Sequence, residues 1–410
     1  MSHRHFIREH IRNHLNQLVI LAEREFTGNR GSGGVFRMAT HSGHFHTDEA
    51  LACALLRHTT TFRHAELVRT RNPEIINACD IVVDVGAIYD AEKLRFDHHQ
   101  ASFNETMQTS RKLYKTRLSS AGLVYKHYGR EIIQGFLEAA LRSPARETFL
   151  KMAGWSDDRT TATEAELDLI FDAVYVNFVE EIDGVDNGVE PYAIKKKEGE
   201  GEGEGEGEGE GEGEEGKDAG EIVRRYLQTT TLSDRVGRLN PSWNDEVGSG
   251  AEVEGAGFLA AMELASTEFF EAVWSYVFVS LPGRSLVEEA FDAAKQLHPS
   301  GQILALRRFC PWKSHLFDLE EERHCKGKVL FVIYPDGAGW RVHTVPKQNA
   351  GFENRVSLQH RGLRDEKLSE ASGIDGGIFV HVTGFIGGMK TYDGALQLAI
   401  QSLPAPPPSS

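Results

Sequence analysis

The stretch Ile81-Val82-Val83-Asp84-Val85-Gly86 decides the fold class of this chain. Its run of β-branched residues is typical of a strand that is buried on both faces, and the glycine ends that strand. Residues 35–39 predict an earlier strand, and a loop and a helix with apolar residues at helical spacing follow it. This strand–loop–helix rhythm predicts an α/β protein with an open, mostly parallel sheet and flanking helices.

Histidines and carboxylates cluster where these predicted strands end. The candidate ligands are His41, His46 and Asp48 after the first strand, Asp84 after the second, Asp97 and His98 in the segment Phe96-Asp97-His98-His99-Gln100, and Asp183 or Asp186 at the acidic end of a helix predicted over 167–182. The carboxyl ends of parallel strands meet at one edge of a sheet, so we expect these side chains to lie together. A solvated acidic turn is the alternative for 183–186, and a core or surface position is the alternative for any one histidine.

This mixture of ligands favours a particular chemistry. Carboxylates with neutral imidazoles suit Mn²⁺ or Mg²⁺ better than a structural thiolate zinc site. Two such ions about 3.5–4 Å apart can supply a nucleophile at neutral pH and a clamp on a phosphoryl group. The pattern therefore predicts phosphodiester hydrolysis, with Asp97, His98 and His99 as catalytic candidates. The chain contains no Gly-x-Ser-x-Gly elbow and no P-loop.

Composition narrows the class of protein. The chain has 410 residues and a formal charge of -16, of which ten glutamates between Glu198 and Glu215 supply -10, leaving -6. Such a mildly acidic chain gives no global sign of nucleic-acid binding. Its four cysteines form no CxxC pair, which favours a reducing, intracellular compartment. No apolar run is long enough to predict a membrane span.

The pattern divides the chain into four parts. Residues 1–33 predict a leader that is either a targeting sequence or disordered, because arginines resembling a mitochondrial presequence occur together with glutamates. Residues 34–297 predict the metal-binding domain, with a disordered Lys/Gly-Glu insert at 195–217. Residues 298–402 predict a smaller C-terminal α/β lobe for substrate, and 403–410 a disordered tail.

The C-terminal lobe carries a glycine-rich segment of interest. Residues 377–382 predict a strand, 383–388 a loop that contains Gly387 and Gly388, and 393–400 a helix. Strand, glycine loop and helix start can form an anion cradle, because free backbone N–H groups point outward there. A tight connector that uses glycine for positive φ is an equal alternative.

Together these motifs resemble a known family. Asp97-His98-His99 resembles the signature of the DHH phosphoesterases, a superfamily that includes RecJ-type exonucleases and family II inorganic pyrophosphatases. The closer resemblance is to the Myg (melanocyte-proliferating-gene) family of DHH-like proteins. The matching segments are Thr40-His41 to Ala54, Val82-Val83-Asp84-Val85-Gly86, Phe96 to Gln100, Asp183 to Gly188, Cys310-Pro311-Trp312-Lys313, Arg361 to Asp365, Gly377 to His381 and Gly384 to Gly388.

The resemblance implies a function and site roles. It implies a DHH phosphoesterase-like fold and a metal-dependent 3′–5′ RNA exonuclease acting in mitochondrion and nucleus. The implied ligands are His41, His46, Asp48, Asp84, His98 and Asp183 or Asp186, with His99 on a phosphate. Lys313, Arg364 and His381 of the C-terminal lobe are implied phosphate contacts, with Gly387 and Gly388 in the glycine segment. One departure is that His46 stands where the wider superfamily has an aspartate, which makes one ion site richer in nitrogen.

Two rival functions share these motifs. A small-molecule phosphohydrolase acting on pyrophosphate or a short nucleotide would use the same ion site with a different groove. The chain shows no obvious basic, aromatic stripe of the kind that a processive nuclease needs. A non-enzymatic scaffold with the same fold is the second rival, and the complete set of ligands argues against it. Oligomeric state cannot be predicted from these patterns.

Overall fold

The computed structural model describes residues 2–21, 23, 34–190, 228–244, 251–337, 339–348 and 353–404. The chain divides into two compact units, the first comprising 1–149 and 157–274 and the second 150–156 and 275–410. The division thus falls earlier than the predicted border after residue 297. The predicted insert 195–217 and residues 405–410 of the predicted tail lie outside the described residues.

The first unit is built on a six-stranded sheet. Its strands are β1 (Ile20–Leu21), β2 (Arg37–Thr40), β3 (Glu66–Arg69), β4 (Ile81–Val83), β5 (Tyr89–Asp90) and β6 (Arg95–Phe96). The order is β1-β3-β2-β4-β6-β5, and every pairing is parallel except that of β5 with β6. The predicted α/β class with an open, mostly parallel sheet is therefore confirmed.

Helices and one hairpin complete the first unit. The helices are α1 (His3–Leu15), α2 (Thr47–Arg57), α3 (Pro73–Ala78), α4 (Ser120–Arg142), α5 (Arg146–Ala153, continuing into the second unit), α6 (Glu164–Val174), α7 (Glu180–Asp186), α8 (Leu232–Gly237) and α9 (Ala251–Ser275). Strands β7 (Thr106–Gln108) and β8 (Leu113–Arg117) form an antiparallel hairpin. A π-helical turn over Tyr175–Val179 joins α6 to α7, in place of the single regular helix predicted over 167–182.

Helix α2 is the centre of this unit. All of its residues are buried, and it packs against α4. Its interior is apolar (Ala50, Leu51, Ala52, Cys53, Ala54, Leu55 and Leu56), which explains why it can be enclosed on every side. Its acidic first turn carries Asp48 and Glu49, so the loop from β2 delivers two carboxylates into a buried position.

The predicted leader is in part an element of the fold. Helix α1 buries Phe6, Ile7, Ile11 and Leu15, and β1 extends the sheet beside β3. Disorder, one of the two alternatives for residues 1–33, is therefore wrong for residues 2–21. The amphipathic pattern that suggested a presequence is here the core-facing stripe of a packed helix.

The second unit has its own sheet and core. Its elements are α10 (Arg284–Leu297), β9 (Ile303–Ala305), α11 (Trp312–Glu322), β10 (Phe331–Asp336), β11 (Gly339–Thr344), α12 (Asp365–Ser372), β12 (Gly377–Val380), β13 (Ile386–Met389) and α13 (Tyr392–Gln401). The strand order is β12-β13-β11-β10-β9, with only β9 and β10 parallel. The unit begins before residue 298 because α10 packs its apolar face into one of its cores.

The predicted glycine loop is wrong in its second half. Gly387 and Gly388 lie inside β13, paired on one side with β11 and on the other with β12. Their backbone groups belong to a sheet, so they do not form an open anion cradle. No described helix is long and apolar enough to cross a membrane.

Candidate metal centre

Asp84 stands at the middle of the predicted site. It follows β4 directly with a φ of 55°, a left-handed conformation that turns the chain at the end of the strand. Its side chain is buried, and its Oδ1 accepts a 3.0 Å hydrogen bond from Ser120 Oγ at the start of α4. The neighbouring strands β2 and β6 end beside it, because Ala39 is in register with Val82 and Phe96 with Val83.

His41, from the loop after β2, reaches two carboxylates. Its Nε2 lies 3.0 Å from Glu49 Oε1 and 3.4 Å from Asp84 Oδ2. Burial lowers the pKa of His41, but hydrogen bonds to Asp84 and Glu49 outweigh it and raise this pKa to about 9. These carboxylates therefore favour the protonated ring, which would give up that proton to act as a metal ligand.

His46, Asp48 and Asp186 form a second group. Each offers one ligand atom, and these atoms all lie within 4.8 Å of one another. Asp48 is almost fully buried, and neither of its carboxylate oxygens has a hydrogen-bond partner among the described residues. Burial raises the pKa of Asp48 well above its usual value, and the charges of Asp84 and Asp186 raise it further.

His98 lies between the two groups. Its Nε2 is 2.9 Å from Asp186 Oδ2 and 3.6 Å from Asp84 Oδ1. Burial acts to raise the pKa of Asp186, but the hydrogen bond and charge of His98 outweigh it and hold that pKa below its usual value. Burial also raises the pKa of Asp84, while its contact with His41 opposes the rise.

Asp97 holds His99 rather than joining the carboxylate group. Asp97 Oδ2 accepts a hydrogen bond from Ala87 N, and Oδ1 lies 2.7 Å from His99 Nδ1. Burial acts to raise the pKa of Asp97, but these bonds lower it below its usual value, while the Asp97 contact raises the pKa of His99. The His99 side chain is 61% exposed, so its Nε2 is free to meet a ligand from solvent.

Asp183 lies apart from this group. Its Oδ1 accepts hydrogen bonds from the N and Oγ atoms of Ser119, at 2.9 and 2.7 Å, and its Oδ2 accepts one from Tyr175 at 3.1 Å. Burial raises its pKa to about 7. Of the two alternatives at the end of α7, the structure therefore places Asp186 with the other candidate ligands and Asp183 in the anchoring of α4.

Glu49 is a residue that the sequence analysis missed. It is fully buried, its Oε1 accepts a hydrogen bond from His46 N, and its Oε2 has no partner among the described residues. It forms potential ion-binding groups with His41 and His46, and with Asp48 and Asp84. An acidic residue at a helix start is explained by the helix dipole alone, so only its complete burial reveals a further role.

An open cavity of about 350 Å³ adjoins this centre in the first unit. His46, Asp48 and Asp186 line it on the polar side, and Phe45, Ile182 and Val185 on the apolar side. Its volume lies within the range of small-molecule binding sites, about 300–1,000 Å³. The cavity therefore gives a ligand from solvent access to the buried carboxylates.

The donor set fits divalent cations. Asp48, Glu49, Asp84 and Asp186 bring four carboxylates together, and the oxygens of Asp48 lack any donor among the described residues. Buried carboxylates without partners are costly, and bound cations remove that cost. Oxygen ligands with imidazoles suit Mn²⁺ or Mg²⁺. We call Asp48, Glu49, Asp84, Asp186, His41, His46 and His98 the candidate metal centre.

The predicted phosphate contacts of the second unit are on different elements. Lys313 is exposed at the start of α11, and Arg364 immediately precedes α12 with its guanidinium 5.7 Å from the Phe379 ring centre. His381 is exposed after β12, where its Nδ1 lies 2.9 Å from Thr383 Oγ1.

Arg341 is a cation here that the sequence analysis missed. Its guanidinium lies 5.3 Å from the same Phe379 ring centre, and its buried Nη1 has no hydrogen-bond partner among the described residues. A Cβ added at Gly388 would lie 2.5 Å from that Nη1, so this glycine leaves room for the arginine.

The fold and the centre define an α/β protein with a histidine–carboxylate site at the carboxyl edge of a parallel sheet. The family model MYG1_exonuc, described as "Uncharacterised protein family (UPF0160)", matches residues 37–403. The proteins named MYG1 exonuclease from Bos taurus and Homo sapiens are 44% and 43% identical to this chain over 382 and 373 residues. These matches cover 91% and 90% of this chain, and 87% and 85% of the relatives.

The chain therefore belongs to the MYG1 exonuclease family, which confirms the resemblance drawn from its motifs. A solved crystal structure of RecJ in complex with Mn²⁺, from Thermus thermophilus, is 13% identical, with a TM-score of 0.20. That similarity covers 98% of this chain and 55% of the other.

Proposed function

We propose that this protein is a metal-dependent phosphodiesterase, and specifically an exonuclease that shortens RNA from its 3′ end. The observation that carries the proposal is a group of four carboxylates and three histidines, all buried except His46 and Asp186, beside an open cavity. The relatives named MYG1 exonuclease support the reaction class. RNA as the substrate, and the 3′ direction, rest on the motif resemblance.

We propose that the candidate metal centre holds two divalent ions, Mn²⁺ or Mg²⁺. Asp84 would hold them together with the histidines, because its Oδ2 lies 3.4 Å from His41 Nε2 and its Oδ1 lies 3.6 Å from His98 Nε2. When bound, such ions lower the pKa of water and neutralise charge on a phosphoryl group. The chain's own contribution would be to hold these side chains after β2, β4 and β6, at the start of α2 and at the end of α7.

His99 is the proposed phosphate contact from the first unit. Its Nδ1 is held by Asp97, and this hydrogen bond raises the pKa of the ring and so favours its charged form. A charged imidazole with one exposed nitrogen can donate to a phosphate oxygen. Asp97 is then a positioning residue, because its two carboxylate oxygens are bound by the backbone N of Ala87 and by His99 Nδ1.

The second unit supplies the proposed further phosphate contacts, Lys313, Arg364, His381 and Arg341. Gly387 and Gly388 would contribute only by their lack of side chains, since their backbone groups are paired in the sheet and are therefore not open to a ligand.

For the cellular address, the motif resemblance supports mitochondrion and nucleus. A fluorescent fusion at the C-terminus, imaged with organelle markers, tests that address.

The test is hydrolysis by metal-stripped protein, with Mn²⁺, Mg²⁺ or Zn²⁺ added back. The parallel substrates are RNA labelled at the 3′ end, RNA labelled at the 5′ end, a DNA oligomer and pyrophosphate. We expect immediate release of 3′ label as mononucleotide and a descending ladder from 5′-labelled RNA. Turnover of pyrophosphate alone would instead identify a small-molecule phosphohydrolase, and the absence of any turnover in metal-loaded protein would favour a scaffold.

Variants assign the activity to the centre. Asp84→Asn and His98→Ala should each abolish turnover, because each removes a proposed ligand, and Asp97→Asn should reduce it by about 10- to 100-fold, as loss of a supporting residue does. The matched control is Glu147→Gln, an exposed carboxylate on α5. Wild-type turnover in Asp84→Asn or Asp97→Asn would show that the proposed site is wrong.

A further inference from the structure

A cluster of three histidines lies outside the candidate metal centre. His10 and His14 are four residues apart on α1, so they share one face of that helix, and His58 follows α2. The ring centres are 5.1 Å apart for His10 and His58, 4.3 Å for His14 and His58, and 4.7 Å for His10 and His14. One nitrogen from each ring lies within 4.8 Å of the other two.

Burial makes this cluster unusual. His10 and His58 are each only 8% exposed, and neither ring nitrogen of His58 has a hydrogen-bond partner among the described residues. A buried polar ring without a partner costs about 1–3 kcal/mol. The rings of Phe136 and Phe270 pack edge-on against His10, so the surroundings offer no alternative polar contact on that side.

We infer that His10, His14 and His58 form a second metal site, which takes a single zinc-class divalent ion. Three imidazoles with no carboxylate are ligands that Zn²⁺, Cu²⁺ or Ni²⁺ prefer and that Mg²⁺ and Mn²⁺ do not. None of these residues belongs to the candidate metal centre, so this inference is independent of the proposed nuclease activity. Of the three chemistries, Zn²⁺ is the natural choice for a tetrahedral site with one open position.

The protonation state and orientation of the rings suit this role. Burial lowers the pKa of all three histidines, that of His10 to about 3, so the rings are neutral at pH 7 and need lose no proton to bind. His14 Nδ1 is 2.8 Å from the carbonyl oxygen of His10, which leaves Nε2 for an ion. A backbone hydrogen bond of this kind orients most metal-binding histidines.

Two features limit the affinity. Zn–N bonds of about 2.0–2.1 Å place tetrahedral nitrogens about 3.3 Å apart, so the rings must rotate toward one another. The half-buried ring of His14 has the freedom to do so. The positive charges of Arg57 and Arg63 act on the same rings and oppose a cation. We therefore expect zinc to bind more weakly here than at a closed cysteine site. The bound ion would join α1 to the end of α2.

The experiment compares the full-length wild type with His14→Ala and, as matched control, His5→Ala. His5 is an exposed histidine on α1 that pairs with Glu9 instead. Equilibrium dialysis against Zn²⁺ with elemental analysis should show one equivalent fewer in His14→Ala than in wild type or His5→Ala. At 100-fold excess over the dissociation constant, Zn²⁺ should raise the melting temperature about 5 °C less in His14→Ala.

A second measurement does not depend on a variant. Substoichiometric Zn²⁺ should shift the ring NMR signals of His10, His14 and His58 together, and Mg²⁺ should not. Equal zinc content in wild type and His14→Ala, or ring signals that Zn²⁺ leaves unmoved, would overturn the inference and make the cluster a packing feature. Loss of the same equivalent in His5→Ala would overturn it as well.

Discussion

Replacement of Asp48 by asparagine should stabilise the metal-free protein. It should also reduce the rise in melting temperature that added Mn²⁺ causes. Asp48 is almost fully buried, lacks a hydrogen-bond partner among the described residues, and lies within 4.8 Å of Glu49 and Asp84 through its ligand atoms. An amide of the same shape removes one negative charge from this group. It also removes one ligand from the candidate metal centre.

The magnitude follows from these distances. Two unit charges 4.8 Å apart repel by about 3.5 kcal/mol at an effective dielectric constant of about 20. Proton uptake relieves part of this, because burial and the charges of Asp84 and Asp186 raise the pKa of Asp48. We therefore expect a gain of about 1–2 kcal/mol in the free energy of unfolding at pH 7.5, or about 2–8 °C in melting temperature.

The gain should depend on pH in a defined direction. The folded pKa of Asp48 is raised above its unfolded value of about 3.8. The stability that this group contributes is therefore fully present below that unfolded value and is lost as pH rises through the folded pKa. The advantage of Asp48→Asn should accordingly be larger at pH 8 than at pH 5.5.

The assay is thermal unfolding of chelator-treated protein at several pH values, repeated with saturating Mn²⁺. Glu147→Gln, which removes an exposed carboxylate, is the control for a change in net charge. In wild type, Mn²⁺ should raise the melting temperature, and in Asp48→Asn this rise should shrink or vanish. A metal-free Asp48→Asn protein less stable than wild type, with an undiminished Mn²⁺ response, would refute the reasoning.

Three further predictions concern other parts of the chain. Asp183→Asn should lower the free energy of unfolding by about 1–3 kcal/mol, because its amide would face the hydrogen-bond donors that Asp183 now accepts from. Asp186→Asn should instead mainly reduce Mn²⁺ binding, and equal effects of the two variants on unfolding would contradict this division of roles. His10→Phe should make unfolding less sensitive to acid. Burial lowers the pKa of His10 in the folded protein to about 3, so the wild type loses stability as pH falls below about 6.5. A pH profile of melting temperature identical to that of the wild type would count against this. Gly388→Ala should cost about 1–3 kcal/mol, since its Cβ would meet the Arg341 guanidinium 2.5 Å away, and an unchanged melting temperature would show that the arginine moves freely.

Much of the site could be predicted from the sequence because of a general property of parallel sheets. His41, Asp84 and His98 follow three strands that turn out to be adjacent, so their meeting requires only that the strands be parallel neighbours. The β-branched run at 81–85 and the alternation with helices were enough to predict that arrangement. The motifs were also enough to identify the family, since several separate segments match it.

Other features depended on long-range packing. Asp183 and Asp186 are three residues apart on one short helix, and only the positions of Ser119 and His98 decide which carboxylate faces the candidate centre. The role of Glu49 depends on the complete burial of α2, which no local pattern expresses. The glycines at 387 and 388 predicted a loop by local rule, but both lie in a strand. Leu358 and Leu398 occupy the space that a side chain at 387 would need, and Arg341 and Phe379 the space at 388.

The fold class, the family and the residue types that gather in the candidate centre could be predicted from the amino-acid sequence, since strand patterns and residue types are local properties. The three-dimensional packing was needed to show which carboxylates lack partners, that residues 2–21 belong to the first unit, and that His58 meets two histidines of α1. These facts depend on contacts between segments more than 40 residues apart, such as those of His58 with His10 and His14. Burial and charge pairing arise from such contacts, and no window of sequence contains both partners.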